Sequence, residues 1–176
     1  MQKLPIGIQD FRTIREDGYL YVDKTQYYYD LMSGKYYFLS RPRRFGKSLL
    51  VSTLKEIFSG NKELFSNLWI EDKIEWTKYP VILIDFNVIV HDRGVEEFDR
   101  TLAATLSETA KKYGVTLKNN TPKAMFKELI VELSQINRVV LLIDEYVKPI
   151  NDYMHDLEKA NRNRQYLASF YEVIKS

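Results

Sequence analysis

Apolar residues follow two spacings along this chain, and each spacing predicts a different kind of element. Short, mainly apolar runs at residues 35–40, 81–86 and 138–143 predict strands that are buried in a sheet. Apolar residues that recur every three or four positions predict amphipathic helices over residues 25–32, 49–58, 95–106, 122–133 and 167–174. Because neighbouring parallel strands need a crossover, usually a helix, this alternation predicts an α/β fold with a mostly parallel sheet.

The composition is that of a folded globular chain. Of the 176 residues, 45% are hydrophobic and 28% are charged, and this length predicts a single domain over residues 1–176. The sequence contains no cysteine, which excludes disulfide frameworks, thiol catalysis and cysteine-ligated zinc. No apolar run approaches the roughly 18 residues that a membrane-spanning helix needs. We therefore expect a cytoplasmic protein that makes no contact with membranes.

The charges along the chain are nearly balanced but unevenly placed. The sequence has 26 Lys and Arg against 24 Asp and Glu, a formal net charge of +2, which does not favour a general nucleic-acid-binding surface. A local surplus of basic side chains occurs at Arg41, Arg43, Arg44 and Lys47. This cluster predicts a local anion-binding site.

The segment RPRRFGKS at residues 41–48 has the chemistry of a phosphate-binding loop. It follows a predicted strand and opens a predicted helix, so that Gly46 permits a tight turn and Lys47 places a cation beside the helix N–H groups. Arg41 stands where the usual loop has its first glycine. These residues alone therefore leave two interpretations open, a phosphate loop and an ordinary helix start.

A second chemical element follows the strand predicted at 138–143. Asp144 and Glu145 come at its carboxyl end, the edge at which parallel sheets bind ligands; a solvated strand end is the alternative. In a nucleotide site, Lys47 would contact the β- and γ-phosphates. Ser48 would ligate Mg²⁺, and Asp144 would hold the same ion directly or through water. Glu145 would orient or deprotonate the attacking water.

These assignments give a defined set of site residues. The catalytic candidates are Glu145 and Lys47. The residues expected to bind the nucleotide are Arg43, Arg44, Phe45, Gly46, Lys47, Ser48 and Leu49. Asp85, at the end of the strand predicted at 81–86, is a further candidate for the γ-phosphate site, with a cap for the following loop as the alternative.

Three motifs together resemble the bacterial and archaeal AAA-ATPase-like family. They are YVDKT at residues 21–25, FLSRPRRFGKS at 38–48, and LLIDEY with KPI at 141–150. Members of that family also lack the first glycine of the loop, and they usually carry a C-terminal nuclease-like domain of the PD-(D/E)XK superfamily. The resemblance implies a three-layer P-loop NTPase that uses ATP and Mg²⁺, with a catalytic Glu after the metal-binding Asp. It also implies that IGIQDF, at residues 6–11, and YVDKT contact the adenine.

The chain departs from that family in two ways. Val147 stands where the family usually has a second Asp, in DEYDKPI. The chain also ends at Ser176, before the strand that the family fold inserts between the strands of Phe38 and Leu142. The resemblance thus implies a truncated chain with an incomplete sheet, whose exposed edges favour homo-oligomers. Nucleic acid would then be contacted only through the absent C-terminal domain.

Four functions agree with these residues. The first is Mg²⁺-dependent ATP hydrolysis coupled to an effector, and ATP is favoured over GTP because the N-K-x-D motif is absent. The second is a nucleotide-binding sensor or oligomerisation module without turnover, and the third is a nucleic-acid-binding module that uses residues 41–47. A small-molecule kinase is the fourth, because a phosphate loop alone does not distinguish water from another acceptor.

Overall fold

The computed structural model describes residues 2–40, Pro42 and residues 44–175. Arg41 and Arg43, both part of the predicted phosphate loop, lie outside the described residues. The chain divides into two compact units, Met1–Val81 and Ile82–Ser176, which are described one at a time. A single domain over residues 1–176 stays a prediction.

Helices make up the regular structure of the first unit. They are α1 (Phe11–Glu16), α2 (Thr25–Leu31), α3 (Lys47–Phe58) and a 3₁₀ helix (Lys62–Phe65). The predictions of α2 and α3 are confirmed, whereas α1 was not predicted. Phe11 and Phe65 are fully buried and their rings stack with centroids 4.7 Å apart. The core of this unit therefore joins the first helix to the residues that follow α3.

The prediction of a buried strand over residues 35–40 was wrong. These residues form no strand, and Tyr36 and Phe38 are 77% and 73% exposed. A strand needs a neighbour to take up its backbone N–H and C=O groups. Among the described residues of the first unit, no strand precedes Val81, so the aromatic and β-forming character of this segment does not suffice to make one.

The second unit contains the sheet and the longer helices. Its elements are β1 (Val81–Asp85), α4 (Val95–Lys112), α5 (Pro122–Ser134), β2 (Val140–Asp144), α6 (Lys148–Asn151), α7 (Leu157–Tyr171) and a final 3₁₀ helix (Glu172–Lys175). The predicted strands at 81–86 and 138–143 and the predicted helices at 95–106 and 122–133 are confirmed. The helix predicted at 167–174 begins ten residues earlier, at Leu157.

The strands β1 and β2 are neighbours in a parallel, two-stranded sheet, which confirms the α/β class. Just beyond them, the Phe86 N–H donates to the Asp144 carbonyl at 3.1 Å. Strand β1 is mostly buried, but β2 is half-buried up to Asp144, so the prediction of a second fully buried strand was wrong. No third strand flanks β2 among the described residues, and one of its edges is therefore uncovered by the sheet.

The core of the second unit lies where α4, α5 and α7 pack together with β1. Its fully or almost fully buried members include Ile84, Phe86, Phe98, Leu102, Phe126, Leu129 and Phe170. Phe126 and Phe170 stack with centroids 4.7 Å apart. None of the helices in the described part of the chain is both long enough and apolar enough to cross a membrane.

Candidate functional site

The predicted phosphate loop turns sharply just before α3. Arg44 and Gly46 adopt φ values of 68° and 72°, both in the left-handed region. Glycine adopts this conformation freely, whereas a non-glycine residue there costs about 1–3 kcal/mol. Gly46 is the N-cap of α3, and a Cβ placed on it would meet no atom within 4 Å. The loop therefore leads directly into α3, and the space beside Gly46 at the helix start is open.

The N-terminus of α3 carries positive character that nothing in its own first turn neutralises. Gly46 has no side chain with which to cap the helix, and the first turn contains no acidic residue. The first N–H groups of a helix have no partner within the helix, and they carry the positive end of the helix dipole. This helix start thus has the electrostatics of an anion-binding site.

The side chain of Lys47 folds back towards the loop. Its Nζ donates to the Pro42 carbonyl at 3.3 Å, which keeps the ammonium group beside the loop backbone. Lys47, Ser48 and Leu49 are half-buried, while Arg44 and Phe45 are exposed. The sequence-predicted residues 44–49 are therefore together, at one exposed turn and the helix start that follows it.

Helix α3 is held in place by α1 as well as by its apolar face. The Ser52 hydroxyl, one turn after Ser48, donates to Asp10 Oδ2 at 3.0 Å and accepts the Phe11 N–H at 2.8 Å. The other carboxylate oxygen of Asp10 accepts the Thr13 N–H, which caps α1. Burial acts to raise the pKa of Asp10, but the hydrogen bonds from Thr13 and Ser52 outweigh it and lower that pKa. Asp10, the acidic residue of IGIQDF, therefore stabilises the contact between α1 and α3.

The motif YVDKT ties two distant parts of the first unit. Asp23 accepts hydrogen bonds from the Thr25 N–H at 2.8 Å and from the Trp69 N–H at 2.6 Å. Fully buried Thr25 in turn accepts the Ile70 N–H at 3.2 Å. Burial acts to raise the pKa of Asp23, but these backbone hydrogen bonds lower it. Contact of this motif with adenine stays a prediction.

Sequence reasoning missed a buried carboxylate at the opposite end of α3, that of Glu56. Glu56 is 1% exposed and accepts hydrogen bonds from Arg12 Nη2 at 2.8 Å and Asn61 Nδ2 at 2.5 Å. A buried charge needs such partners, because removal from water otherwise costs several kcal/mol. Glu56 therefore joins α1, α3 and the residues after α3.

In the second unit, the predicted acidic residues lie at the carboxyl edge of the sheet. Asp144 ends β2 and is 7% exposed, and its Oδ1 accepts the Glu145 N–H at 2.9 Å. Glu145 follows with a φ of 51°, in the left-handed region that glutamate rarely adopts. Such strain persists only where the surrounding structure holds it, and it is commonest at functional sites.

Comparison with known proteins identifies the family. The profile of the family described as Predicted AAA-ATPase matches residues 5–176, nearly the whole chain. The chain belongs to this AAA-ATPase family. An uncharacterized protein in the vnfD 5' region of Azotobacter chroococcum mcd 1 is 43% identical over 179 residues, which cover 99% of this chain and 34% of that relative. The chain thus spans about a third of that relative's length. No solved structure matches the chain.

In this chain of the AAA-ATPase family, Val147 lies at the start of α6. Val147 is the N-cap of α6, and its carbonyl accepts the N–H groups of Ile150 and Asn151 at 3.0 and 2.9 Å. No side chain caps this helix. Aspartate is a preferred N-cap residue, so an Asp at this position would offer α6 a cap.

Asp85 and Asp144 end neighbouring parallel strands, so the structure brings these two predicted residues to the same edge of the sheet. Asp85 Oδ1 accepts the Asn87 N–H at 2.8 Å, which caps the following loop. The described residues contain no cluster of three or more His, Cys, Asp or Glu side chains able to hold a metal. Mg²⁺ on an ATPase needs no such cluster, since one or two protein oxygens and the phosphates suffice. The Ser48 hydroxyl in the first unit and the buried Asp144 carboxylate in the second are each oxygen donors of the kind that Mg²⁺ takes.

Proposed function

We propose that this chain binds ATP with Mg²⁺ and hydrolyses it, as a P-loop domain with the three-layer architecture of its family. The observation that carries the proposal is the loop before α3. Gly46 is left-handed, the helix starts at Lys47, and no acid stands in the first turn, in a chain whose family is named for ATPases. Helix α4 also starts after an uncapped glycine, Gly94, but its first turn contains Glu96 and Glu97, whereas the first turn of α3 contains Lys47 and no acid.

Binding would come from the first unit. The N–H groups at the start of α3 would donate to the phosphate oxygens, and Lys47 would move from Pro42 onto the β- and γ-phosphates. Arg44, Phe45 and Leu49 would flank the same phosphates, as would Arg43, which lies outside the described residues. Ser48 would offer its hydroxyl to Mg²⁺, which neutralises charge that develops on the phosphates.

Hydrolysis would come from the acidic residues of the second unit. Asp144 would hold the ion, with its position fixed by burial and by the Glu145 N–H. Glu145 would accept a proton from the water that attacks the γ-phosphorus, as the bond to the leaving oxygen of ADP breaks. The left-handed φ of Glu145 supports a functional role. Glycine or asparagine would adopt this φ with less strain, so the function of the carboxylate would explain why glutamate stands here.

The experiment that tests hydrolysis is phosphate release from Mg-ATP, measured on wild type and on Glu145→Gln. We expect the variant to lose about 100-fold or more in rate while it still binds ATP, because a general base contributes about 10²–10⁴-fold. Glu132→Gln, an exposed change in α5, is the matched control and should keep the wild-type rate. Release at the wild-type rate by Glu145→Gln would contradict the role of that residue.

Two other outcomes would change the function itself. ATP bound without any phosphate release by wild type would favour the nucleotide sensor that the sequence left open. Failure of wild type to bind ATP, with salt-sensitive binding of oligonucleotides instead, would favour the nucleic-acid module. Coupling to an effector and homo-oligomers through sheet edges remain part of the proposal, and the first is supported by the greater length of the Azotobacter relative.

A further inference from the structure

The second unit contains a buried histidine that neither the sequence motifs nor the proposed function has used. His91 lies in the loop between β1 and α4 and is 9% exposed. Its Nδ1 lies 2.9 Å from the Ile89 carbonyl, and its Nε2 lies 3.1 Å from Asp152 Oδ2. The same carboxylate oxygen accepts Lys148 Nζ at 2.7 Å. One oxygen thus joins a loop that follows β1 to a helix that follows β2.

The contact with Asp152 requires a proton on Nε2 of His91. An ionised carboxylate only accepts, so Nε2 must donate. The hydrogen bond from Lys148 lowers the pKa of Asp152 against the effect of burial, and the bond from His91 lowers it further. The neutral ring with its proton on Nε2 and the charged ring both make this bond, so the tie does not depend on the state of Nδ1.

The link to Asp152 reaches the turn that contains Glu145. Asp152 is the C-cap of α6, and Lys148 is the first residue of that helix. The Lys148 N–H donates to the Glu145 carbonyl at 2.8 Å. On its other side α6 is held by α7, since Asn163 Nδ2 donates to the Pro149 carbonyl at 2.7 Å in a buried contact. The strained Glu145 is therefore followed by one short helix that Asn163 holds on one side and His91 on the other.

The surroundings of His91 contain few other charges. The ring centroid of Phe98 in α4 lies 6.4 Å from that of His91, and the ring centroid of Tyr153, just after α6, lies 6.0 Å from it. Lys159 of α7 lies over the Tyr153 ring, with its Nζ 4.1 Å from the ring centroid, and the same Nζ donates to the Asp92 carbonyl. Among the described residues, Asp152 is the ionisable group that hydrogen-bonds to the His91 ring, and Lys148 donates to the same carboxylate oxygen.

We propose that His91 is a positioning residue, whose Nε2 donor ties α6 to the loop after β1 and thereby holds the turn of Glu145 in place. Loss of that donor releases this anchor. The effect of the tie on catalysis rests on the proposed function, but the tie itself does not.

Amide hydrogen exchange of residues 145–152 tests the tie without any need for ATP. After correction for intrinsic rates, we expect protection to be about ten-fold lower in His91→Leu than in wild type, as expected for loss of one charged hydrogen bond. His91→Gln keeps a side-chain N–H donor, so its protection should be closer to that of wild type. His155→Gln, a change of the exposed second histidine, is the control and should behave as wild type.

Wild-type protection in His91→Leu would overturn the proposal. If His91→Leu fails to fold, Asp152→Ala removes the acceptor instead, and wild-type protection in that variant would overturn the proposal. Steady-state kinetics then test the positioning of Glu145. We expect kcat for ATP hydrolysis to fall about ten-fold in His91→Leu, with KM changed less than about two-fold.

An unchanged kcat in a variant whose turn is unprotected would overturn the positioning role. A wild type that releases no phosphate would refute the proposed function, and the exchange measurement would still decide whether the tie exists.

Discussion

Helices α1 and α3 pack against each other, yet their N-termini are completed in opposite ways. The start of α1 is capped by its own chain, because the Asp10 carboxylate accepts the Thr13 N–H and also binds Ser52. The start of α3 has glycine in the capping position and lysine as its first residue. Every helix start exposes N–H groups that need acceptors. In α1 the acceptor belongs to the protein, and we propose that in α3 it belongs to the nucleotide.

The contrast separates residues that stabilise the fold from residues that bind a ligand, although both types surround the same pair of helices. A change at the capped start should lower stability and spare binding. A change at the open start should do the reverse. The following predictions test that division, from the largest expected effect to the smallest.

Lys47→Ala should remove the stabilisation that ATP gives while it leaves the unliganded protein nearly as stable as wild type. Mg-ATP at 100 times Kd should add about 2.7 kcal/mol to the free energy of unfolding of wild type. The variant should gain almost nothing, because the cation for the phosphates is lost. Thermal melts with and without Mg-ATP measure this, with Lys55→Ala, at the other end of α3, as the matched control. An equal gain in both variants would break the comparison.

Asp10→Ala should have the converse effect. It removes the cap of α1 and leaves the Ser52 hydroxyl and the Thr13 N–H without their acceptor, so we expect a loss of about 2 kcal/mol in urea unfolding. The gain from Mg-ATP should remain. Asp17→Ala, at the exposed C-terminus of α1, is the control and should change stability little. A lost response to ATP in a folded Asp10→Ala would mean that the capped start also serves the ligand.

The Asp10 carboxylate should also show in the pH dependence of stability. Its pKa in the folded protein lies below the ordinary value, since the hydrogen bonds from Thr13 and Ser52 outweigh burial. A group of this kind adds stability that is fully present above its unfolded pKa of about 3.9 and is lost as the pH falls through the folded value. Between about pH 5 and pH 3, wild type should therefore lose more stability than Asp10→Ala. Parallel curves for the two proteins would contradict this.

Gly46→Ala should cost about 1 kcal/mol of stability, because alanine is strained in the left-handed conformation even though its Cβ would meet no other atom within 4 Å. We expect the response to Mg-ATP to weaken as well, since the loop must relax from this shape. Gly114→Ala is a close match, with a φ of 70° and no atom near its Cβ, but it lies after α4. It should show the same loss of stability and a normal response to ATP.

Val147→Asp should give the smallest effect, a gain of about 0.5–1 kcal/mol in the free energy of unfolding. The reason is that the new carboxylate would cap α6. The start of α6 differs from those of α1 and α3, because it has neither a side-chain cap nor a proposed ligand. Chemical denaturation of this variant and of Val147→Ala measures the difference. A higher rate of phosphate release without higher stability would show instead that the carboxylate acts on metal or water.

Local patterns predicted most of the regular elements. Helix α3 repeats apolar residues at the spacing of one face, and Leu50, Leu54 and Ile57 are indeed buried together. The apolar run of β1 likewise identifies a buried strand. Residues 35–40 failed because a strand depends on a partner elsewhere in the chain, which a local pattern does not report. Helix α1 has only six residues, too few for a periodic signal, although Asp10 and Thr13 carry its cap.

The candidate site likewise has a part that local sequence patterns predict and a part that they do not. The sequence Gly46-Lys47-Ser48 predicts the loop and the helix start because the conformational freedom of glycine and the charge of lysine are local properties. It does not predict the left-handed Glu145, the cap position of Val147 or the partners of Asp10. These depend on residues that are distant in the chain, such as Ser52, 42 positions from Asp10.

The polar ties of the first unit also decide in what order it can form. Asp23 and Trp69 are 46 positions apart and Arg12 and Glu56 are 44 apart, so both bonds close long stretches of chain around the phosphate loop. Closing such a stretch costs conformational entropy before any contact repays it, and contacts of high sequence separation slow folding. Helix α3 can therefore appear early from neighbouring residues, whereas the loop before it acquires a fixed shape only when the ends of the unit meet. The fixed shape of the loop is then a late and collective property of the first unit, although the described part of the loop and the helix start consists of Pro42 and residues 44–49 alone.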